Sequence, residues 1–143
     1  MNAQNGYDIE DLKPGMTASI AKTINYADIV LFAGVSTDNN PVHINEEYAK
    51  TTMFGGRIAH GMLTSTLISA VLGNRLPGPG CIYMGQTLKF KAPVHPGDTV
   101  TATVTVKEVI LEKKRVIMET VCTIGGKVVI DGEATLMCTS KND

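Results

Sequence analysis

The sequence has no tryptophan, and aromatic residues make up only 5% of its 143 positions. That scarcity disfavours a stacking platform for single-stranded nucleic acid. Neither sign of charge dominates: 13 Lys and Arg against 14 Asp and Glu leave a net charge of −1. A nucleic-acid partner would call for a basic excess gathered on one face, so none is expected. No apolar run approaches the ~20 residues that cross a bilayer, so no membrane partner is expected either. The stretch from Met1 to Gly15 is polar and partly acidic and does not read as a secretory signal. Cysteine is scarce: Cys81, Cys122 and Cys138 are odd in number, far apart and without CxxC spacing. They argue against a disulfide framework or a zinc scaffold, and for buried, reduced thiols in a cytoplasmic setting.

What is present is the composition of one globular domain over residues 1–143, with 43% hydrophobic and 19% charged residues. The first half reads as helices and loops after one short strand at Met16 to Ala21. Asn25 can cap a helix with Asp28 in its first turn. Ala27, Val30, Leu31, Gly34 and Val35 recur there at helical spacing. Thr37-Asp38-Asn39-Asn40-Pro41 stops that helix, since a residue before proline is pushed out of the helical region. Asn45-Glu46-Glu47 reads as the cap and first turn of a short second helix. Gly61 to Leu72 leaves little polar face, and a helix apolar most of the way round is a buried one.

From Ile82 onward the period becomes two. Ile82, Met84, Leu88, Phe90 and Ala92 share a face. Val100, Ala102, Val104 and Val106 alternate with threonines, and Val116, Met118, Cys122 and Ile124 alternate again. Gly125-Gly126 signals a hairpin into Val128, Ile130, Ala134, Leu136 and Cys138. Strands this closely spaced pair antiparallel, because parallel pairs need long crossovers. The expected class is α+β: a curved antiparallel sheet wrapped around one long apolar helix.

Two stretches carry candidate chemistry. In Asp38-Asn39-Asn40-Pro41-Val42-His43 an acid and an imidazole lie five residues apart, about 17 Å if extended. The Asn-Asn-Pro break favours a turn that brings them together, and a carboxylate and an imidazole sharing one water form a general acid/base pair. Asp38 also follows a helix C-terminus, where the dipole disfavours negative charge and the placement costs stability. An Asx-turn with a surface histidine is the plainer reading of the same residues. The second stretch, Gly55 to Met62, enters the apolar helix at Gly61. Free amides at a helix N-terminus suit an anionic oxygen, so the Gly61 N–H is a candidate oxyanion donor. His60 beside it reads as a ligand or as a hydrogen-bonded structural residue. Ser69, about two turns on, reads as a serine bonded to its own helix or as one orienting Asp38.

Asp38-x-Asn40-Pro41-x-His43, followed by Gly56-Arg57-Ile58-Ala59-His60-Gly61-Met62-Leu63, closely resembles the MaoC-like (R)-specific enoyl-CoA hydratases. Tyr83 to Val94 and Pro96-Gly97-Asp98 extend the likeness, which runs from about Ala27 to about Val106. The resemblance implies a hot-dog fold: a long central helix wrapped by a five-stranded antiparallel sheet, with a short overhanging helical segment. It implies a homodimer or larger homo-oligomer with an acyl-CoA channel at the subunit interface. It also implies catalytic roles for Asp38, His43, Gly61 and Ser69, with Asn40 positioning the turn or the water; Ser65 and Thr66 compete with Ser69 for the serine's place. The activity implied is the reversible hydration of a trans-2-enoyl-CoA thioester, with no metal and no organic cofactor required. Leu63 and Leu72 are candidates for the acyl pocket, here expected to favour short chains, and Arg57 for a substrate phosphate. A hot-dog thioesterase and a non-catalytic acyl-CoA-binding protein are the competing readings.

Overall fold

The computed structural model describes residues 1–143. The chain runs β1 (Thr17–Thr23), α1 (Tyr26–Ser36), α2 (Pro41–Ile44), α3 (Glu46–Ala49), α4 (Gly61–Asn74), β2 (Ile82–Gln86), β3 (Lys89–Phe90), β4 (Thr99–Ile110), β5 (Arg115–Ile124) and β6 (Lys127–Met137). All strand pairs are antiparallel, in the order β1-β4-β5-β6-β2, with β3 beside β2 on β6. This is the expected five-strand arrangement with one of its strands in two pieces. The break has a local cause. A Cβ on Gly132 of β6 would lie 1.8 Å from the Thr87 carbonyl oxygen, so the Thr87 backbone occupies the space a side chain would need. Thr87 is tied down there, its N–H donating to the Glu133 carbonyl and its hydroxyl accepting from the Glu133 N–H. No helix is long and apolar enough to cross a membrane.

The core follows the period-two pattern. Val100, Ala102 and Val104 of β4 are fully buried, as are Val116, Met118 and Cys122 of β5 and Ala134 and Leu136 of β6. They close over Leu67, Ile68, Val71 and Leu72 of α4. Burying each large aliphatic side chain contributes about 1.5–3 kcal/mol relative to leaving it in water. Cys122 and Cys138 are buried and all three thiols are free. Burial pushes the Cys122 thiol up to about 11 and the Cys138 thiol up to about 12.

Two expectations about helix faces need correction. α4 is not enclosed: Met62, Thr66, Ser69 and Gly73 form an exposed stripe, because the sheet of one chain covers one side of the helix only. In α1 the buried residues are Ile29 and Ala33, while Val30, Leu31 and Val35 are exposed. The helix is apolar on both faces, so spacing alone could not choose which one packs.

Candidate active site

The segment from Ser36 to Gly61 holds its shape mainly through side-chain-to-backbone bonds. α1 ends on Thr37, a β-branched residue at φ 65° in the left-handed region. Such a conformation is costly and persists only where neighbours enforce it. The Asp38 N–H donates to Ser36 Oγ (3.1 Å), and Asp38 Oδ1 accepts the Asn40 N–H (3.3 Å). Asn40 Oδ1 in turn accepts the Val42 N–H (3.2 Å) and caps α2, with Pro41 in its first turn. Asparagine then proline is a helix start as well as a helix stop, and that is the signal by which α2 could have been read. α2 carries His43 inward, leaving it 8% exposed, while Asp38 stays exposed.

The two histidines are fixed in opposite tautomers. His43 Nδ1 lies 2.8 Å from the Ile58 carbonyl oxygen, which can only accept, so Nδ1 carries the hydrogen and Nε2 keeps its lone pair. His60 Nε2 lies 3.0 Å from the Asp38 carbonyl oxygen, so there Nε2 carries the hydrogen. The rings stack at 3.8 Å between centroids and 27° between planes, and Phe32 packs on His60 at 4.8 Å. Burial is the main reason His43 is held below the ordinary histidine value; His60 adds to the effect, while the Ile58 carbonyl and the Asp38 charge oppose it. His60 Nδ1 is buried without a partner, which costs on the order of 1–3 kcal/mol.

The carboxylate and ring nitrogens of Asp38, His43 and His60 lie within 4.8 Å of one another. Three such groups can in principle hold a metal ion. The Ile58 and Asp38 carbonyls each occupy one ring nitrogen, which leaves His43 Nε2 and His60 Nδ1 without a hydrogen-bond partner.

Asp38, His43 and Gly61 line one cleft of about 450 Å³, together with Phe54, Phe90 and Ile130. Gly61 is the first residue of α4, so its N–H belongs to the turn that has no partner inside the helix. The need for glycine comes from packing. A Cβ at residue 61 would stand 2.6 Å from the nearest carbons of the Phe90 ring.

Other expected site residues are not brought to this cleft. Ser69 lies eight residues beyond Gly61, roughly 12 Å along the helix axis, and is exposed. Ser65 and Thr66 spend their hydroxyls on carbonyls of their own helix, at Met62 and Leu63. Leu72 is buried in the core. Leu63 borders a separate cleft of about 200 Å³ beside α1. Arg57 is engaged elsewhere, paired with Glu46 at 2.9 Å and stacked 3.8 Å over the Tyr26 ring. The contribution of Phe90 to the cleft was not foreseen, since a period-two pattern cannot tell which loop a strand residue will meet.

A family model described as MaoC like domain matches residues 11–131. An (R)-specific enoyl-CoA hydratase of Rhodospirillum rubrum is 64% identical over 132 residues, covering 92% of each chain. A 3-hydroxybutyryl-CoA dehydratase of Methylorubrum extorquens is 48% identical, covering 94% of this chain and 85% of that one. Among solved structures, an R-hydratase from Pseudomonas aeruginosa superposes with a TM-score of 0.89 at 46% identity, covering 95% of this chain and 88% of that chain. The stretch Asp38 to Leu63 lies inside the matched region, as does the sheet wrapped over α4 as far as Asp131 in β6, and the chain belongs to the MaoC-like family of hot-dog proteins.

Proposed function

We propose that the chain catalyses the reversible addition of water to a short trans-2-enoyl-CoA, giving an (R)-3-hydroxyacyl-CoA. The observation that carries this reading is the convergence of Asp38, the buried His43 and Gly61, the first residue of α4, on one cleft. His43 Nε2, the ring nitrogen that the Ile58 carbonyl leaves with its lone pair, does the proton work in this reading. One water sits between Nε2 and the Asp38 carboxylate. Its oxygen bonds to C3, the C2–C3 π electrons move toward the thioester, and negative charge develops on the thioester oxygen. The Gly61 N–H receives that oxygen; one such donor is worth about 2.7–4 kcal/mol in measured enzymes. The Asp38–His43 pair takes one proton from the water and returns one to C2, so the overall step consumes one water and no other reagent. The reverse sequence dehydrates the hydroxyacyl thioester. Because the two groups share a water, pH profiles report the pair.

The active form is a homodimer joined through the β2 edge of the sheet. The two free edges differ: β1 presents Thr17, Ser19, Lys22 and Thr23, whereas β2 exposes Ile82, Tyr83 and Met84. An exposed apolar edge strand is the kind that pairs with another chain.

Crotonyl-CoA tests the reading. The enoyl absorbance should fall on mixing, free CoA should not appear, and the product should be the (R) hydroxyacyl thioester. Release of CoA without hydration would make the protein a thioesterase, and binding without turnover would make it a carrier or sensor. A panel of CoA and carrier-protein thioesters of increasing chain length defines the natural substrate.

A further inference from the structure

We infer that His60 is the residue that sets the distance between the two acid/base groups, acting as a positioning residue for both. The inference rests on the assignment of Asp38 and His43 given above. Three contacts converge on this one side chain. Its Nε2–H holds the backbone carbonyl of Asp38 at 3.0 Å. Its ring lies under the His43 ring at 3.8 Å, backed on another side by Phe32. Its main chain is the cap of α4, one residue before the Gly61 amide.

The need for such a residue follows from what else holds Asp38. The side chain is exposed, its backbone N–H is bonded only to the Ser36 hydroxyl, and it follows a left-handed threonine. A catalytic group on an exposed turn loses its geometry unless something buried grips it, and His60 is 2% exposed. The orphan Nδ1 fits the same account. A side chain chosen for stability alone would not bury an acceptor without a donor. Presenting Nε2–H to Asp38 while stacking on His43 leaves the other nitrogen buried with no hydrogen-bond partner, and the site keeps that cost.

Two substitutions separate the two contacts. His60→Gln retains an N–H donor and loses the ring; His60→Phe retains a ring and loses the donor. Each should lower kcat for crotonyl-CoA by roughly 10- to 100-fold, the penalty of a misplacement near 1 Å, while KM moves by less than about threefold. His60→Phe should keep or raise the thermal midpoint, because it removes the unpartnered nitrogen; a purely structural role predicts lost stability with intact chemistry. A folded variant of either kind with kcat within about threefold of the parent overturns the inference. If neither variant folds, nitrogen NMR of the histidine-labelled parent decides. His60 should show the Nε2–H tautomer and His43 the Nδ1–H tautomer, and an Nδ1–H His60 overturns the inference. Asp38→Asn and His43→Gln run alongside. If they lose turnover while the His60 variants keep it, only this inference falls; if Asp38→Asn keeps turnover, the assignment of the site falls with it.

Discussion

The sheet with α4 and the segment from Ser36 to Gly61 are held together by different physics. In the sheet, stability is spread over many interchangeable aliphatic contacts: Val100, Val104, Val116, Ile68 and Val71 are each completely buried, and no one contact is singular. In the segment, α2 and α3 are one turn each, and the chain is fixed by single polar bonds such as Asn40 Oδ1 to Val42 N–H, Asn45 Oδ1 to Tyr48 N–H and the Tyr26 hydroxyl to the Ile44 carbonyl. Apolar packing is non-directional and tolerates exchange at constant volume. A hydrogen bond fixes a direction. The difference teaches that this protein separates what keeps it folded from what aims its side chains, and that damage to the two regions should register in different measurements.

The sharpest test of that separation is in the segment. Asp38→Asn or His43→Gln should lower kcat by about 10²–10⁴-fold, the usual worth of a general acid or base, with the circular dichroism spectrum unchanged. Loss of fold in Asp38→Asn would break the comparison. The converse is Ile68→Ala in α4. It should cost roughly 2–5 kcal/mol, lowering the thermal midpoint by about 6–20 °C, while the protein that remains folded turns over normally. Gly61→Ala probes the junction of the regions. The new methyl must displace the Phe90 ring, so hydration should fall by roughly 10- to 100-fold with a smaller change in melting. Adding Phe90→Leu to make room should recover part of the rate, and no recovery would mean the ring is not what excludes the methyl.

The smallest effect is on pH. Burial holds His43 below its ordinary value of 6.5, so the neutral ring is the form the fold prefers. As pH falls, the unfolded chain takes up this proton first. The contribution to stability is therefore complete above 6.5 and is lost as pH drops from there toward the lower folded value. The same protonation removes the Nε2 lone pair, so the acid limb of kcat/KM for hydration should lie below 6.5. Unfolding calorimetry of the parent and His43→Gln across this window should show the parent losing more stability on acidification. A parent that loses no more stability than His43→Gln on acidification would contradict the buried placement.

Much of this was legible in the residues. The threonine–valine alternation of β4 fixed which face packs, because period two leaves no second choice once one face is all Val and Ala. Asp38, His43 and Gly61 were joined as one site by the family resemblance; the proline break and the glycine alone left an Asx-turn and a plain helix entry equally open. Where local rules run out, so does the reading. α1 offers apolar residues on two faces, and only the sheet decides that Ile29 and Ala33 go in. α4 looks buried all round in sequence, yet one chain has too little sheet to cover Met62, Thr66 and Ser69. Arg57 could have met a phosphate, but Glu46 and Tyr26, eleven and thirty-one residues away, already hold it.

The close approach of Thr87 to Gly132 has a reach beyond its own neighbourhood. It bends the edge of the sheet just ahead of Phe90, and Phe90 is the wall against which Gly61 rests. A methyl at residue 132 would force that edge outward and carry the wall with it. The course of the strand that carries Phe90 is thus set from the back of β6, by a residue that does not itself line the cleft.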